Sequence, residues 1–250
     1  MRRLIVNADD LGYDHVVNED IFRLIEAGSV TSATILANGP AVEAAAARLR
    51  DFPRASFGVH LNFTEFPPLT RGAALNVLCD ESGALATGWV GNLTLSGETR
   101  DAVFREWCAQ VERALDLRVP VSHLDSHHHI HTLPGLFAVF KRVQLRFDIR
   151  KARLRRNIFN LGGRRRFGIQ AATAAWNLAL NTIVPTRTTD AFTEFATLYQ
   201  RVVAGLPWTG TVELMCHPGN PLFEDETRLL EGDWRRVLGR DATMISYRDL

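Results

Sequence analysis

The sequence predicts an α/β protein with a parallel sheet covered by helices. Three observations support that class. Short apolar, β-rich runs alternate with helical patterns along the chain. Several of those runs end abruptly in Asp or His clusters. The 250 residues, 46% hydrophobic and 23% charged, suit one α/β barrel, a fold that commonly takes about 250 residues. A single domain over residues 1–250 is therefore expected.

Leu4-Ile5-Val6 meets polar residues at Asn7 and reads as a buried parallel strand. Asp14 can N-cap a helix whose Val17, Ile21, Leu24 and Ile25 share a face, and Gly28 stops it. Val30 to Leu36 reads as a second strand. Pro40 suits the first turn of an Ala-rich helix that reaches about Arg50. Ser56 to Leu61 reads as a third strand. Residues 63 to 96 lack periodicity and carry Pro67-Pro68, and a loop of that length is often a lid over a site. A helix is expected from Glu98 to Leu117, with Val103, Trp107, Val111 and Leu115 at four-residue spacing. Val121 to Leu124 is a strand that runs into Asp125-Ser126-His127-His128-His129-Ile130-His131. Helices follow at Pro134 to Phe147 and at Ile169 to Ile183. Thr211 to Cys216 is a further strand, ending in His217-Pro218-Gly219, and a last helix covers Thr227 to Leu238.

Bulk properties exclude several classes. The formal net charge of +1 gives no reason to expect nucleic acid or a membrane surface as the main partner. No run reaches the roughly 18 apolar residues of a spanning helix. Cys79, Cys108 and Cys216 form no disulfide framework and suit a reducing compartment. With no apolar leader at the basic N-terminus, a cytoplasmic location is expected, and the sequons at Asn62 and Asn92 read as accidental. The basic stretch Arg142 to Arg166 has two readings: a solvated or interface surface, favoured about two to one on ordinary surface charge usage, or an anion-binding rim for a phosphorylated or acidic substrate. A homodimer is compatible with the first.

In α/β folds the site lies beyond the C-terminal ends of the strands. Here Asp9-Asp10, His60, Asp125 to His131 and His217 all fall at such ends. Adjacent aspartates can diverge, one onto a cation and one toward a substrate, although a lone Asp there caps a helix about as often. Not all of His127, His128, His129 and His131 can be ligands: in extended chain 127, 129 and 131 would share one side and 128 the other. Asp125 could orient an imidazole. One Asp and two His leave positions open on a metal, which is the pattern of a catalytic site. The spare carboxylate can take a proton from water, and His217 can protonate a leaving group. A Cys216-His217 nucleophilic dyad is disfavoured, since strand neighbours point to opposite faces.

At these residues the sequence resembles the YdjC-like carbohydrate deacetylases, which include chitooligosaccharide deacetylases and hopanoid-biosynthesis-associated proteins. The segments that carry the resemblance are Asn7-Ala8-Asp9-Asp10-Leu11-Gly12, Val30-Thr31-Ser32-Ala33-Thr34, Gly58-Val59-His60-Leu61, His123 to His131, and Cys216-His217-Pro218-Gly219. The resemblance implies a distorted TIM-like (β/α) barrel of the polysaccharide-deacetylase superfamily. It implies hydrolysis of an N-acetyl group from a sugar with one divalent cation. It places the metal on Asp10, His60 and His127, the general base at Asp9 and assistance to the leaving amine at His217. Asp125, His128, His129 and Trp89 are candidate substrate contacts, Trp89 by stacking on a pyranose face. Two His and one Asp suit zinc, and the resemblance allows magnesium. Leu11 stands where phenylalanine is commoner, and Thr188 to Phe192 only partly matches the family's substrate-side stretch. Two other classes compete: another metal-dependent barrel enzyme, such as a phosphoesterase or sugar isomerase, and a non-catalytic metal-dependent sugar-binding protein. The first wants more carboxylates for a second metal, and the second has no need of Asp9.

Overall fold

The structure, a computed structural model, describes residues 2–89, 95–161 and 167–250, apart from the side chains of Trp89 and Phe167. Six strands, β1 (Arg2–Leu11), β2 (Ser32–Ile35), β3 (Ser56–Leu61), β4 (Val121–Ser126), β5 (Ala191–Glu194) and β6 (Gly210–Cys216), lie in the order β4-β3-β2-β1-β6-β5. Every neighbouring pair is parallel. A short β7 (Thr243–Met244) pairs with Arg3 and Leu4 of β1. The helices are α1 (His15–Glu26), α2 (Val42–Arg48), α3 (Ala73–Asn76), α4 (Gly97–Asp116), α5 (Phe137–Phe147), α6 (Phe167–Thr182), α7 (Phe195–Val203), α8 (Glu224–Glu231) and α9 (Trp234–Leu238).

The sheet is curled, and residues 150–153 lie between its two edges. Leu124 donates to the Lys151 carbonyl at 3.0 Å, and Arg187, just before β5, donates to the Arg150 carbonyl at 2.7 Å. Strand alternation then separates two environments. Leu4, Val6 and Ala8 of β1 pack outward into the apolar core shared with the helices. Asn7 and Asp9 point inward, where Asn7 Nδ2 donates to Thr34 and Asp9, and His123 bonds Asn7 Oδ1. The barrel interior thus carries a polar network beside the apolar Ile5 and Phe192, and most of the apolar core lies on its outer face.

Two backbone positions fit that interior together. A Cβ on Gly58 would lie 2.6 Å from the His123 ring, so only glycine leaves room for this imidazole. Beyond Ala8 the register of β1 against β2 shifts by one residue, and Asp10 takes the left-handed φ of 68°. Without that bulge, alternation would send Asp10 to the helical side. With it, both carboxylates reach the strand ends.

The sequence-predicted elements are present with some differences. Asp14 caps α1, accepting from the Val17 N–H at 2.8 Å. The four-residue spacing in α4 drifts off the buried face by Leu115, which is 46% exposed while Ala114 is buried. The expected helix at 227–238 is two helices separated at Gly232. The histidine run is not extended: His127–Thr132 forms a tight turn in which His128 and His129 take φ of 51° and 55°. The expected sharing of one side by residues 127, 129 and 131 therefore does not hold. Strands β5 and β7 were not foreseen, being too short to show a period. No helix among the described residues is long and apolar enough to cross a membrane.

Candidate metal centre and active site

Asp10 from the β1 bulge, His60 from β3 and His127, directly after β4, converge at the C-terminal end of the sheet. One donor atom from each lies within 4.8 Å of the others, and all three residues are buried. His127 Nδ1 stands 2.9 Å and His60 Nε2 3.4 Å from Asp10 Oδ1. Yet that oxygen is buried without an aligned hydrogen-bond partner. A buried carboxylate oxygen facing two imidazole nitrogens, with no proton properly placed between them, is what a cation would satisfy. The residues present therefore fit a divalent metal.

The far side of each histidine is anchored. His60 Nδ1 meets Asp125 Oδ1 at 2.7 Å, and Asp125 Oδ2 accepts from Thr34 at 3.0 Å. His127 Nε2 meets Glu65 Oε2 at 3.0 Å, and Tyr13 donates to Glu65 Oε1 at 2.6 Å. A carboxylate behind each imidazole fixes its tautomer and makes it a better ligand. Burial alone would lower the His60 pKa, but Asp125 and Asp9 outweigh it and carry it up to about 10.

Asp9 is held differently. Arg153 Nη2 donates to Oδ1 at 2.6 Å and Nη1 to Oδ2 at 2.7 Å, and Asn7 Nδ2 adds a bond to Oδ1 at 2.9 Å. Burial opposes ionisation, but Arg153 and His60 keep the Asp9 carboxyl well below the usual carboxylate range. Asp9, His60 and Asp125 form a second converging set. The Arg153 guanidinium already bridges its two carboxylates, reaching Asp125 Oδ2 at 2.8 Å, so that set has its cation. Asp125 is fully buried with both oxygens engaged, which places it beneath His60 and away from any incoming molecule.

His217, after β6, shares with Asp9, Asp10 and Tyr13 a cleft of about 100 Å³ closed by Pro218 to Pro221. Its ring stacks on Phe223 at 4.3 Å, and its backbone N–H donates to Glu226. Burial pushes the imidazole pKa down against the pull of Asp9 and Asp10, and Nδ1 has no hydrogen-bond partner. His128 is exposed and bonded to Thr64 at 2.9 Å. His129 lies edge-on to Phe192, with Nδ1 unpaired. The Trp89 side chain and Arg164 to Arg166 lie outside the described residues.

Sequence reasoning missed Glu65 and Arg153. Glu65 sits in the aperiodic 63–96 loop, which does border the site through Thr64 and Glu65. Arg153 was read with the basic stretch, but it is fully buried, whereas Arg142, Arg146 and Arg150 make surface ion pairs with Asp101, Glu112 and Asp148. Its flanks, Ala152 and Leu154, are buried too. An arginine between two apolar residues was the available signal that this segment enters the barrel.

Parallel strands that deliver cation ligands at their C-terminal ends place the chain among barrel-type α/β proteins with a candidate metal pocket at the mouth. It belongs to the YdjC-like family, whose model matches residues 3–237. It is 32% identical to a carbohydrate deacetylase of Halalkalibacterium halodurans, over 97% of this chain and 100% of that protein. It is 38% identical to a carbohydrate deacetylase of Geobacillus stearothermophilus over a shorter stretch, 59% of this chain and 58% of that one. A crystal structure from Enterococcus faecalis V583, named for cellobiose-phosphate cleavage, superposes with a TM-score of 0.78 at 23% identity, covering 99% of this chain and 98% of that one, and shows the same fold.

Proposed function

We propose that this chain is a metal-dependent hydrolase that removes the N-acetyl group from an N-acetylated sugar, releasing acetate and a free amine. The observation that carries the reading is an ionised carboxylate, Asp9, fixed beside an Asp10-His60-His127 cluster with an unpartnered oxygen. Relatives named carbohydrate deacetylases support the reaction class. Asp10, His60 and His127 would hold a divalent ion, which would supply Lewis acidity toward water and a carbonyl.

The chain's own residues do the rest. Arg153 and Asn7 both load Oδ1 of Asp9, leaving Oδ2, with the single Nη1 bond, as the freer oxygen to take the proton of the attacking water. His217, on the other side of the cleft, delivers a proton to the departing amine nitrogen. It donates from its protonated form, which the Asp9 and Asp10 charges favour against the effect of burial. A cleft of about 100 Å³ has room for an acetyl group and little more, so the sugar lies outside it, toward Tyr13, Thr64 and His128.

The donor set suits zinc. Three free thiols suit a reducing compartment. The test is acetate release from N,N′-diacetylchitobiose by chelator-treated protein with and without added Zn²⁺ or Mg²⁺, alongside p-nitrophenyl phosphate hydrolysis and metal analysis. Metal-dependent acetate release with one ion per chain is expected. Phosphatase activity without acetate release, or two ions per chain, would overturn the reading.

A further inference from the structure

A buried polar chain that the proposed chemistry does not use runs from Tyr247 toward Asp9. The C-terminal turn at Tyr247–Asp249 tucks Tyr247 into the barrel from the end opposite the metal pocket. Tyr247 is fully buried, its backbone N–H donates to Ser56 at 3.0 Å, and its ring stacks on His123 with centroids 3.6 Å apart. Its hydroxyl donates to Glu213 Oε2 at 2.5 Å. The other oxygen of Glu213 accepts from Arg153 Nε at 2.8 Å, and Arg153 grips Asp9. A second route leads to the same carboxylate, from Tyr247 through stacked His123 and then Asn7. The first route ends on both oxygens of Asp9 and the second on Oδ1.

We infer that Tyr247 and Glu213 are positioning residues for Asp9, acting through Arg153 from the far end of the barrel. This inference rests on Asp9 as the proton acceptor. The physical reason is a matter of shared charge. One guanidinium is surrounded by Asp9, Asp125 and Glu213, all buried. Glu213 sets how strongly Arg153 is drawn away from Asp9, and the Tyr247 hydroxyl stabilises the Glu213 charge. Burial pushes Glu213 up to about 7 against Arg153 and Tyr247, so the ionised form depends on these two neighbours. Removing the hydroxyl leaves the Nε anchor weaker, and the guanidinium is free to shift relative to Asp9. Among the described residues Tyr247, Glu213 and Arg153 make no hydrogen bond to Asp10, His60 or His127, although Arg153 also holds Asp125, which backs His60.

The test uses Tyr247→Phe, which keeps the ring on His123, and Glu213→Gln, which keeps an acceptor for Arg153. With N,N′-diacetylchitobiose, each should lower kcat roughly 10- to 100-fold, the loss expected from one hydrogen bond to a charged group, with KM and metal affinity unchanged. The double variant should be no worse than the poorer single one, because both lie on one path. An independent readout needs no substrate: hydrogen exchange at the Arg153 Nε–H, followed by NMR, should be faster in Tyr247→Phe than in the native chain. A kcat within twofold of native in folded Tyr247→Phe, additive losses in the double variant, losses that track metal affinity, or an unchanged Nε–H would each overturn the inference. If the native protein releases no acetate, the functional reading has failed, and the NMR comparison still decides whether the tail governs Arg153.

Discussion

Replacing Asp9 by Asn separates proton transfer from metal binding. Asp9 accepts three N–H groups at 2.6, 2.7 and 2.9 Å. An amide keeps one oxygen for them, and its NH₂ must face a donor. One charge-assisted bond is lost, at about 1.5–3 kcal/mol of stability. The larger loss of a broken buried pair, about 3–5 kcal/mol, does not apply in full, because Asp125 and Glu213 still neutralise Arg153. Activity should fall about 10²–10⁴-fold, equivalent to about 2.7–5.4 kcal/mol of barrier. Metal binding should persist, since Asp9 Oδ2 lies 3.9 Å from His60 Nε2 and is already held by Arg153. Asp10→Asn should instead lose metal affinity. The assay pairs acetate release with the thermal shift produced by metal on chelator-treated protein, where a ligand at 100 times its Kd adds about 2.7 kcal/mol. Asp9→Asn should keep that shift and Asp10→Asn should lose most of it at the same metal concentration. The opposite pattern would reverse the two roles, and full activity in Asp9→Asn would end the mechanism.

Two further outcomes test the supports of the site. Glu65→Gln removes the charge behind His127 and should weaken metal binding about 10- to 100-fold, measured by competition with a chelating dye; unchanged affinity would show that Glu65 does not tune the ligand. Gly58→Ala drives a methyl into His123 and should destabilise the fold by about 1–3 kcal/mol in urea unfolding, whereas an unshifted midpoint would mean that the imidazole has room to move.

The strand ends were legible because parallel α/β topology turns a linear pattern into a spatial one. An apolar run followed by Asp or His puts that residue at the mouth wherever the strand sits in the order. The rule gathered Asp9-Asp10, His60, the 125–131 run and His217 at one mouth, and the family resemblance then singled out Asp10, His60 and His127 among them, which the structure brings together. The rule is silent about what stands behind a ligand. Glu65 reaches His127 from a loop without period, and Arg153 reaches Asp9 from a segment joined to its neighbours by isolated bridges. Backbone geometry was likewise hidden. The Asp10 bulge and the left-handed His128-His129 turn have no glycine to announce them. Non-glycine residues at positive φ carry strain that surrounding contacts must over-determine, and such positions concentrate at functional sites.

Arg153 also bears on which reaction the mouth can host. A two-metal phosphoesterase needs a second ion roughly 3.5–4 Å from the first, with its own carboxylates. The available second set here is Asp9, His60 and Asp125, and a guanidinium lies across two of its members. Arginine stays charged at any working pH and cannot yield its place by losing a proton, as a lysine could. Asp9 is therefore left as a charged carboxylate beside the Asp10-His60-His127 cluster. That arrangement suits proton abstraction from water beside a polarised amide better than a clamp on both oxygens of a phosphoryl group. In the proposed mechanism the same guanidinium that would make Asp9 a weak base keeps it ionised and fixed in a buried interior, and both would be needed for it to take a proton from water.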